Sequence, residues 1–174
     1  MKLKKYLFKN VKSTNNTAIR LIKSGNYSGA IMSELQLKGR GQRGNKWVSK
    51  KGNLFMTVFF KISKNINLKK ILSLNTKILK KIIKNKIDSK VSIKLPNDIL
   101  IKKKKVCGIL QETLFKNNIK FLIVGIGINL IHSPNVIKYE TTYLNNYSKK
   151  KINKIKLFNE IKLNYEKKLI YFTR

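Results

Sequence analysis

The stretch Lys105–Asn129, KVCGILQETLFKNNIKFLIVGIGIN, decides the fold class. Val106 to about Leu114 has the length and apolar content of a strand, and Ile119 to Ile128 is a second, mostly apolar strand. Asn117-Asn118 between them is a hairpin signal, because asparagine tolerates the left-handed backbone that a tight turn requires. Two strands joined this closely must run antiparallel.

Upstream, Val91–Lys94 and Ile99–Ile101 read as short strands around the Pro96 turn, and the Lys102–Lys105 run joins them to the hairpin. Leu68, Ile71, Leu72, Ile78, Leu79, Ile82 and Ile83 recur at three and four, which is one face of a long helix. Asn53–Ile62, NLFMTVFFKI, is a nearly continuous apolar run that suits a buried strand. Lys38–Gly52 is a charged, glycine-rich loop of 15 residues without periodicity, and loops that long in a compact domain are usually functional or disordered. Gly29–Leu35 and Lys4–Phe8 read as strands. Between them, Ser13-Thr14-Asn15 offers capping side chains to a helix that stops near Gly25. Downstream, His132–Tyr147 is irregular, and Ile152, Ile155, Phe158, Ile161, Tyr165, Leu169 and Phe172 mark a C-terminal amphipathic helix. The expected architecture is α+β, a mixed and mostly antiparallel sheet with helices packed on it.

The chain of 174 residues is one domain in size, and a hydrophobic content of 42% is globular. No apolar stretch approaches the ~18–20 residues needed to span a membrane, and the first ten residues lack the pattern of a signal peptide. A single cysteine, Cys107, excludes an intramolecular disulfide and suggests a reducing cytoplasm; with one histidine beside it, a zinc cage of soft ligands is excluded too. The net charge of +33 suggests nucleic acid. Yet Lys, Ile, Asn and Tyr, all with A/T-rich codons, make up half of the chain, and the lysines are spread along its whole length. Compositional drift with solvated lysines and a selected basic surface both fit, and either would attract nucleotides and acidic proteins.

Residues that run against this bias stand out. Gly39, Arg40, Gly41, Gln42, Arg43, Gly44 and Trp47 share one loop. Glycines let main-chain N–H groups approach a ligand, arginine forks match phosphate or carboxylate, and the indole suits a flat or apolar group. The loop is an anion-binding lid or a solvated loop, and it is not a dinucleotide fingerprint, since no helix clearly opens after it. Lys94-Leu95-Pro96-Asn97-Asp98 is either a phosphate and magnesium site or a structural turn. Lys105-Val106-Cys107-Gly108-Ile109-Leu110 alone fits an ordinary hairpin. The glycines of Val124–Asn129 mark packing, a bulge or the close approach of a ligand.

In this order, Ser13-Thr14-Asn15, Gln36 with KGRGQRGNKW, NLFMTV, KLPNDI, KVCGIL and VGIGIN resemble the catalytic domain of biotin–protein ligases over roughly residues 5–130. The resemblance implies a class II synthetase-like biotin/lipoate ligase fold and a two-step reaction. Biotin's carboxylate would attack the α-phosphate of ATP, with Mg²⁺, to give biotinyl-5′-AMP. A lysine of the biotin carboxyl carrier protein of acetyl-CoA carboxylase would then take the biotin. It implies that Ser13, Thr14, Asn15 and Gln36 hold the ureido ring, and that Gly39, Arg40 and Gly41 wrap the carboxylate and the adenylate phosphate. Trp47, Gly108, Leu110 and Ile128 would form apolar walls, and Lys105 would be the principal cation. Arg40, Gly41, Gln42, Arg43, Lys94, Asn97 and Asn129 would serve the nucleotide. Asp98 and Asn129 would face Mg²⁺, and Asp98 would also accept or orient the incoming amine.

Two departures from the family pattern matter. Gln42 stands where the family usually has another arginine, so a leakier grip on the adenylate is expected, and Leu95 replaces a tryptophan, which affects local packing. The resemblance also leads to the expectation of a single catalytic domain over residues 1–174, without a winged-helix domain or specific DNA binding, with the family's C-terminal β-barrel absent or reduced, and with a homodimer as one possible assembly. The competing readings are a lipoate or octanoate ligase or transferase of the same fold, and a basic nucleic-acid-binding protein.

Overall fold

The computed structural model describes residues 2–168. The hairpin forms as expected, with β6 (Lys104–Lys116) and β7 (Ile119–Ile128) paired antiparallel. Asn117 and Asn118 both take positive φ, 46° and 61°, which matches the right-handed twist of the flanking strands. The expected Lys102–Lys105 connection is shorter than its sequence: Lys102 and Lys103 make the turn at φ 47° and 67°, and Lys104 and Lys105 already belong to β6.

The hairpin lies inside one seven-stranded sheet together with β1 (Lys5–Val11), β2 (Ser28–Gln36), β3 (Leu54–Ile62), β4 (Val91–Lys94) and β5 (Asp98–Ile101), in the order β1-β2-β3-β7-β6-β5-β4. Only β1 and β2 pair in parallel, with helix α1 (Thr14–Lys23) as their crossover, so the sheet is mixed and mostly antiparallel.

β3 reads as continuously apolar because both of its faces are covered. Leu54, Met56, Val58, Phe60 and Ile62 join the larger core under α2 (Leu68–Lys84) and α3 (Lys154–Lys168). Phe59 joins Ile31, Phe121 and Ile123 under Ala18 and Ile22 of α1 on the opposite face. Period-two alternation along β7 divides its residues in the same way: Leu122, Val124, Ile126 and Ile128 face α2 and α3, and the odd-numbered positions, Gly125 and Gly127 among them, face the other side.

Two helix details differ from expectation, and one adds to it. Ser13 is the N-cap residue of α1 but makes no side-chain capping bond, and Thr14 and Asn15 are already helical; their side chains point into the site described below. Asn67 caps α2 instead, its Oδ1 accepting from the amides of Lys69 and Lys70 at 3.0 and 3.1 Å. In α3, Leu157, Phe158, Ile161 and Tyr165 are buried while Ile155 is exposed, so the buried stripe is offset from the expected one, and Leu169 and Phe172 lie outside the described residues. Among the described residues no helix is long and apolar enough to cross a membrane.

Candidate active site

On the α1 side of the sheet a cavity of about 710 Å³ opens between the first turn of α1, the end of β2, the glycine-rich loop, the β4–β5 turn and the segment around residues 135–139. Its floor is a closed polar network. Gln36 Oε1 accepts from the Thr14 amide at 2.9 Å and from its hydroxyl at 3.1 Å, and Gln36 Nε2 donates to Ser49 Oγ at 3.2 Å. The Thr57 hydroxyl donates to Asn15 Oδ1 at 2.6 Å and touches Thr14 Oγ1 at 2.8 Å. Asn15 Nδ2 donates to the Leu110 carbonyl at 3.2 Å and to Glu112 Oε2 at 2.7 Å. Ser13, Thr14, Asn15 and Thr57 are all buried, and pairing of this kind is what makes burial of so many polar atoms tolerable.

Next along the hairpin, Gly108 and Gly127 sit opposite each other on β6 and β7. The Trp47 indole lies flat over both. A Cβ on Gly127 would meet Trp47 Cε2 at 2.4 Å, and one on Gly108 would meet Cζ3 at 2.7 Å. Glycine at these positions is the condition for the indole to reach the sheet. Trp47 Nε1 is buried without a hydrogen-bond partner, so the wall ends in a free donor. Gly39 is buried rather than cavity-lining: its carbonyl accepts from the Trp47 amide at 3.0 Å, and it has no room for a side chain, so it closes the base of the loop.

Lys105 is the cation beside this wall, its Cε reaching back to 3.4 Å from the Cβ position of Gly108. Its Nζ lies 4.8 Å from the Tyr139 ring centroid and 5.5 Å from that of Trp47, within the range of cation–π attraction. The same Nζ is 2.8 Å from Asp98 Oδ1. Oδ1 is buried in this ion pair and has no further hydrogen-bond partner. Asn97 holds this turn in place, its Nδ2 donating to the Ile109 carbonyl at 2.9 Å while its own carbonyl accepts from the Ile109 amide. Cys107, behind Lys105, faces the core. Burial and the nearby Asp98 charge push its thiol far above the ordinary range, against a smaller opposing effect of Lys105, so it is no nucleophile.

The structure brings Ser13, Thr14, Asn15, Gln36, Arg40, Gly41, Gln42, Arg43, Trp47, Asn97, Asp98, Lys105, Gly108 and Leu110 to one cavity. It does not bring Ile128, Lys94 or Asn129 to it. Ile128 has the parity of Ile126, not of Gly127, and packs into the α2–α3 core. Lys94 is exposed, outside the cavity lining. Asn129 borders a smaller adjoining cavity, shared with Lys105 and Tyr139; its Nδ2 donates to the Thr142 carbonyl at 3.1 Å and its buried Oδ1 has no partner. Three residues of the site carry no expectation from sequence: Thr57, Glu112 and Tyr139. Thr57 could have been found as the one hydroxyl interrupting NLFMTVFFKI, and Glu112 as one of only seven acidic residues. Nothing in the sequence singles out Tyr139. Leu95 is exposed at the cavity mouth, so nothing packs where the resemblance suggested a tryptophan.

Among the described residues no group of three acidic, histidine or cysteine side chains could hold a metal by itself. The sequence model of the Biotin/lipoate A/B protein ligase family matches residues 7–129. The Bifunctional ligase/repressor BirA of Escherichia coli (strain K12) is 32% identical over 126 residues, covering 69% of this chain and 38% of BirA. The Biotin--[acetyl-CoA-carboxylase] ligase of Paracoccus denitrificans is 30% identical over 129 residues, covering 70% of this chain and 52% of that protein. This chain therefore spans about half or less of the length of these curated relatives. Among solved structures, the biotin protein ligase from Aquifex aeolicus in complex with biotin and ATP superposes with a TM-score of 0.81 at 29% identity, over 98% of this chain and 72% of that one.

Proposed function

The chain belongs to the Biotin/lipoate A/B protein ligase family, and from that premise we propose that it activates biotin with ATP and transfers it to a lysine of a biotin carrier domain, the carrier of acetyl-CoA carboxylase being the expected acceptor. The observation that carries this reading is the order of chemistry along one hairpin. A polar floor lies at the level of Leu110 and Gly125, an indole-covered apolar wall at Gly108 and Gly127, and a cation beyond it. A urea ring, an aliphatic chain and a carboxylate follow one another in the same order in biotin.

Thr14, Asn15 and Gln36 present fixed donors and acceptors for the urea. Trp47 covers the aliphatic tail. Lys105 meets the place where the biotin carboxylate and the α-phosphate of ATP must approach. Two anions do not approach unaided, and a cation fixed beforehand in a partly dry site is the means of bringing them together. A carboxylate oxygen then bonds to the α-phosphorus, the bridging P–O bond breaks, and pyrophosphate leaves with that electron pair. The mixed anhydride hydrolyses in water, so the glycine-rich loop has to cover it. In the second step an acceptor amine attacks the acyl carbon, AMP leaves, and the amine loses a proton. Asp98, ion-paired with Lys105 and lining the cavity, would orient that amine or accept its proton. Asn129, with its orphaned Oδ1, lies on the adjoining smaller cavity, so Asp98 would be the residue of this site to hold a magnesium ion. When bound it would offset phosphate charge.

The test is incubation with MgATP, labelled biotin and a biotin carrier domain. Label on the carrier lysine that disappears with Lys105→Ala supports the ligase. Preferential transfer of labelled lipoate would move the assignment to the other branch of the family. Absence of any adenylate would remove the enzyme reading.

A further inference from the structure

All seven acidic residues of this chain are ion-paired, six with lysines and one with an arginine, Arg40. That exception is Glu112 on β6, and its two oxygens go to different parts of the site. Oε1 accepts from Arg40 Nη2 at 2.5 Å, in the glycine-rich loop, and Oε2 accepts from Asn15 Nδ2 at 2.7 Å, in the floor. The other arm of the Arg40 fork, Nη1, donates to Asn16 Oδ1 on α1 at 2.6 Å. Within residues 40–46 the remaining hydrogen bonds close the loop on itself, from the Gly41 amide to the Asn45 carbonyl and from the Asn45 amide and side chain to the Gln42 carbonyl. Among the described residues, Arg40 is thus the side chain that ties this segment to the body of the protein, and Glu112 is its charged partner.

We infer that Glu112 is a positioning residue that latches the loop to the cavity floor, so that Arg40 and Asn15 are set together; its consequence for biotin rests on the function proposed above. A carboxylate is required for this, because both neighbours are donors. A glutamine at 112 would offer one oxygen and one NH₂ group, and the NH₂ would face either the guanidinium or the Asn15 amide as donor against donor. The charged bond to arginine is also the stronger of the two and has fixed geometry.

Trp47, the sole tryptophan, reports on the loop directly. The first measurement uses ligand-free protein: acrylamide quenching of Trp47 and the rate of tryptic cleavage after Arg43 and Lys46, in wild type, Glu112→Gln, Arg40→Ala and the double variant. Quenching is expected to rise at least twofold and cleavage at least threefold in either single variant. The double variant should add little, because both remove the same tie. Biotin affinity of Glu112→Gln should fall about tenfold, with the thermal midpoint close to wild type. Wild-type quenching and cleavage in a folded Glu112→Gln protein would overturn the latch, as would fully additive effects in the double variant. If Glu112→Gln does not fold, Arg40→Ala, on the exposed loop, still decides by the same two readouts. A loosened loop in a protein whose wild type binds no biotin would keep the latch and reject the proposed function.

Discussion

Gly127→Ala is the perturbation most directly calculable from this site. The new Cβ would lie 2.4, 2.6 and 2.8 Å from Trp47 Cε2, Cζ2 and Nε1, where carbon contacts rest at ~3.5–4.0 Å. Something must move by about 1 Å. β7 cannot, because it is hydrogen-bonded to β3 on one side and β6 on the other. Trp47 can, because it belongs to a loop and its neighbours Lys46 and Val48 are both exposed. Overpacking of this kind costs roughly 1–3 kcal/mol, and here it should appear in ligand binding more than in folding. The expected result is a biotin affinity lowered by roughly 5- to 150-fold, a red-shifted Trp47 emission, and a melting temperature within a few degrees of wild type. Titration calorimetry with biotin, tryptophan emission and a thermal melt measure the three quantities. Gly44→Ala is the control, since a side chain there meets nothing within 4 Å and bears only the strain of φ +75°. Affinity within twofold of wild type and unchanged emission would refute the contact between indole and glycine. A collapsed melting temperature would refute the claim that the loop, not the sheet, gives way.

Gly125→Ala should behave differently: its Cβ would meet Asn15 Oδ1 at 2.3 Å, and Asn15 is held on a helix by Thr57 and Glu112. Stability should fall by about 1–3 kcal/mol, visible in urea melts, and a wild-type midpoint would show that α1 shifts freely. Gln42→Arg restores a cation at the cavity and should slow adenylate release severalfold in a chase with unlabelled biotin; an unchanged rate would mean that position 42 makes no contact with the intermediate. Cys107 should resist iodoacetamide at pH 8 until urea unfolds the protein, because burial and Asp98 hold the thiol protonated; rapid labelling of native protein would contradict that packing. Glu166 concerns acid stability. Burial raises its pKa, but the Lys162 ammonium and the Leu3 amide, each at 2.6 Å, outweigh this and hold it below the ordinary 4.5. Its stabilisation is therefore complete above pH 4.5 and lost as pH falls toward the lower folded value. Glu166→Gln should destabilise by about 1–3 kcal/mol at pH 7 and flatten the acid limb of the stability curve; an acid limb parallel to wild type would reject the linkage.

Much of this protein was legible in order along the chain. Hydrophobic periodicity, the Asn117-Asn118 turn and the clustering of glycine, arginine and tryptophan are local signals, and the strands, the long helix and the loop follow them. The face of each strand residue was legible as well, though less obviously. Parity along β7 already separates Ile128 from Gly125 and Gly127, and parity along β6 puts Glu112 on the side of Gly108 and Leu110. Ser13-Thr14-Asn15 misled for a local reason, since capping residues and ligand-binding residues share the same short polar side chains.

The sequence by itself therefore determined the antiparallel hairpin and the glycine loop, because each rests on neighbours a few residues apart. Tertiary structure alone decided that Asn15 packs on Gly125, that Trp47 covers Gly108 and Gly127, that Tyr139 approaches Lys105, and that Arg40 finds Glu112, 72 residues away. These contacts depend on strand order and on the crossing of a loop over a sheet. Periodicity carries no information about either, because it describes which way a side chain points and not what it meets.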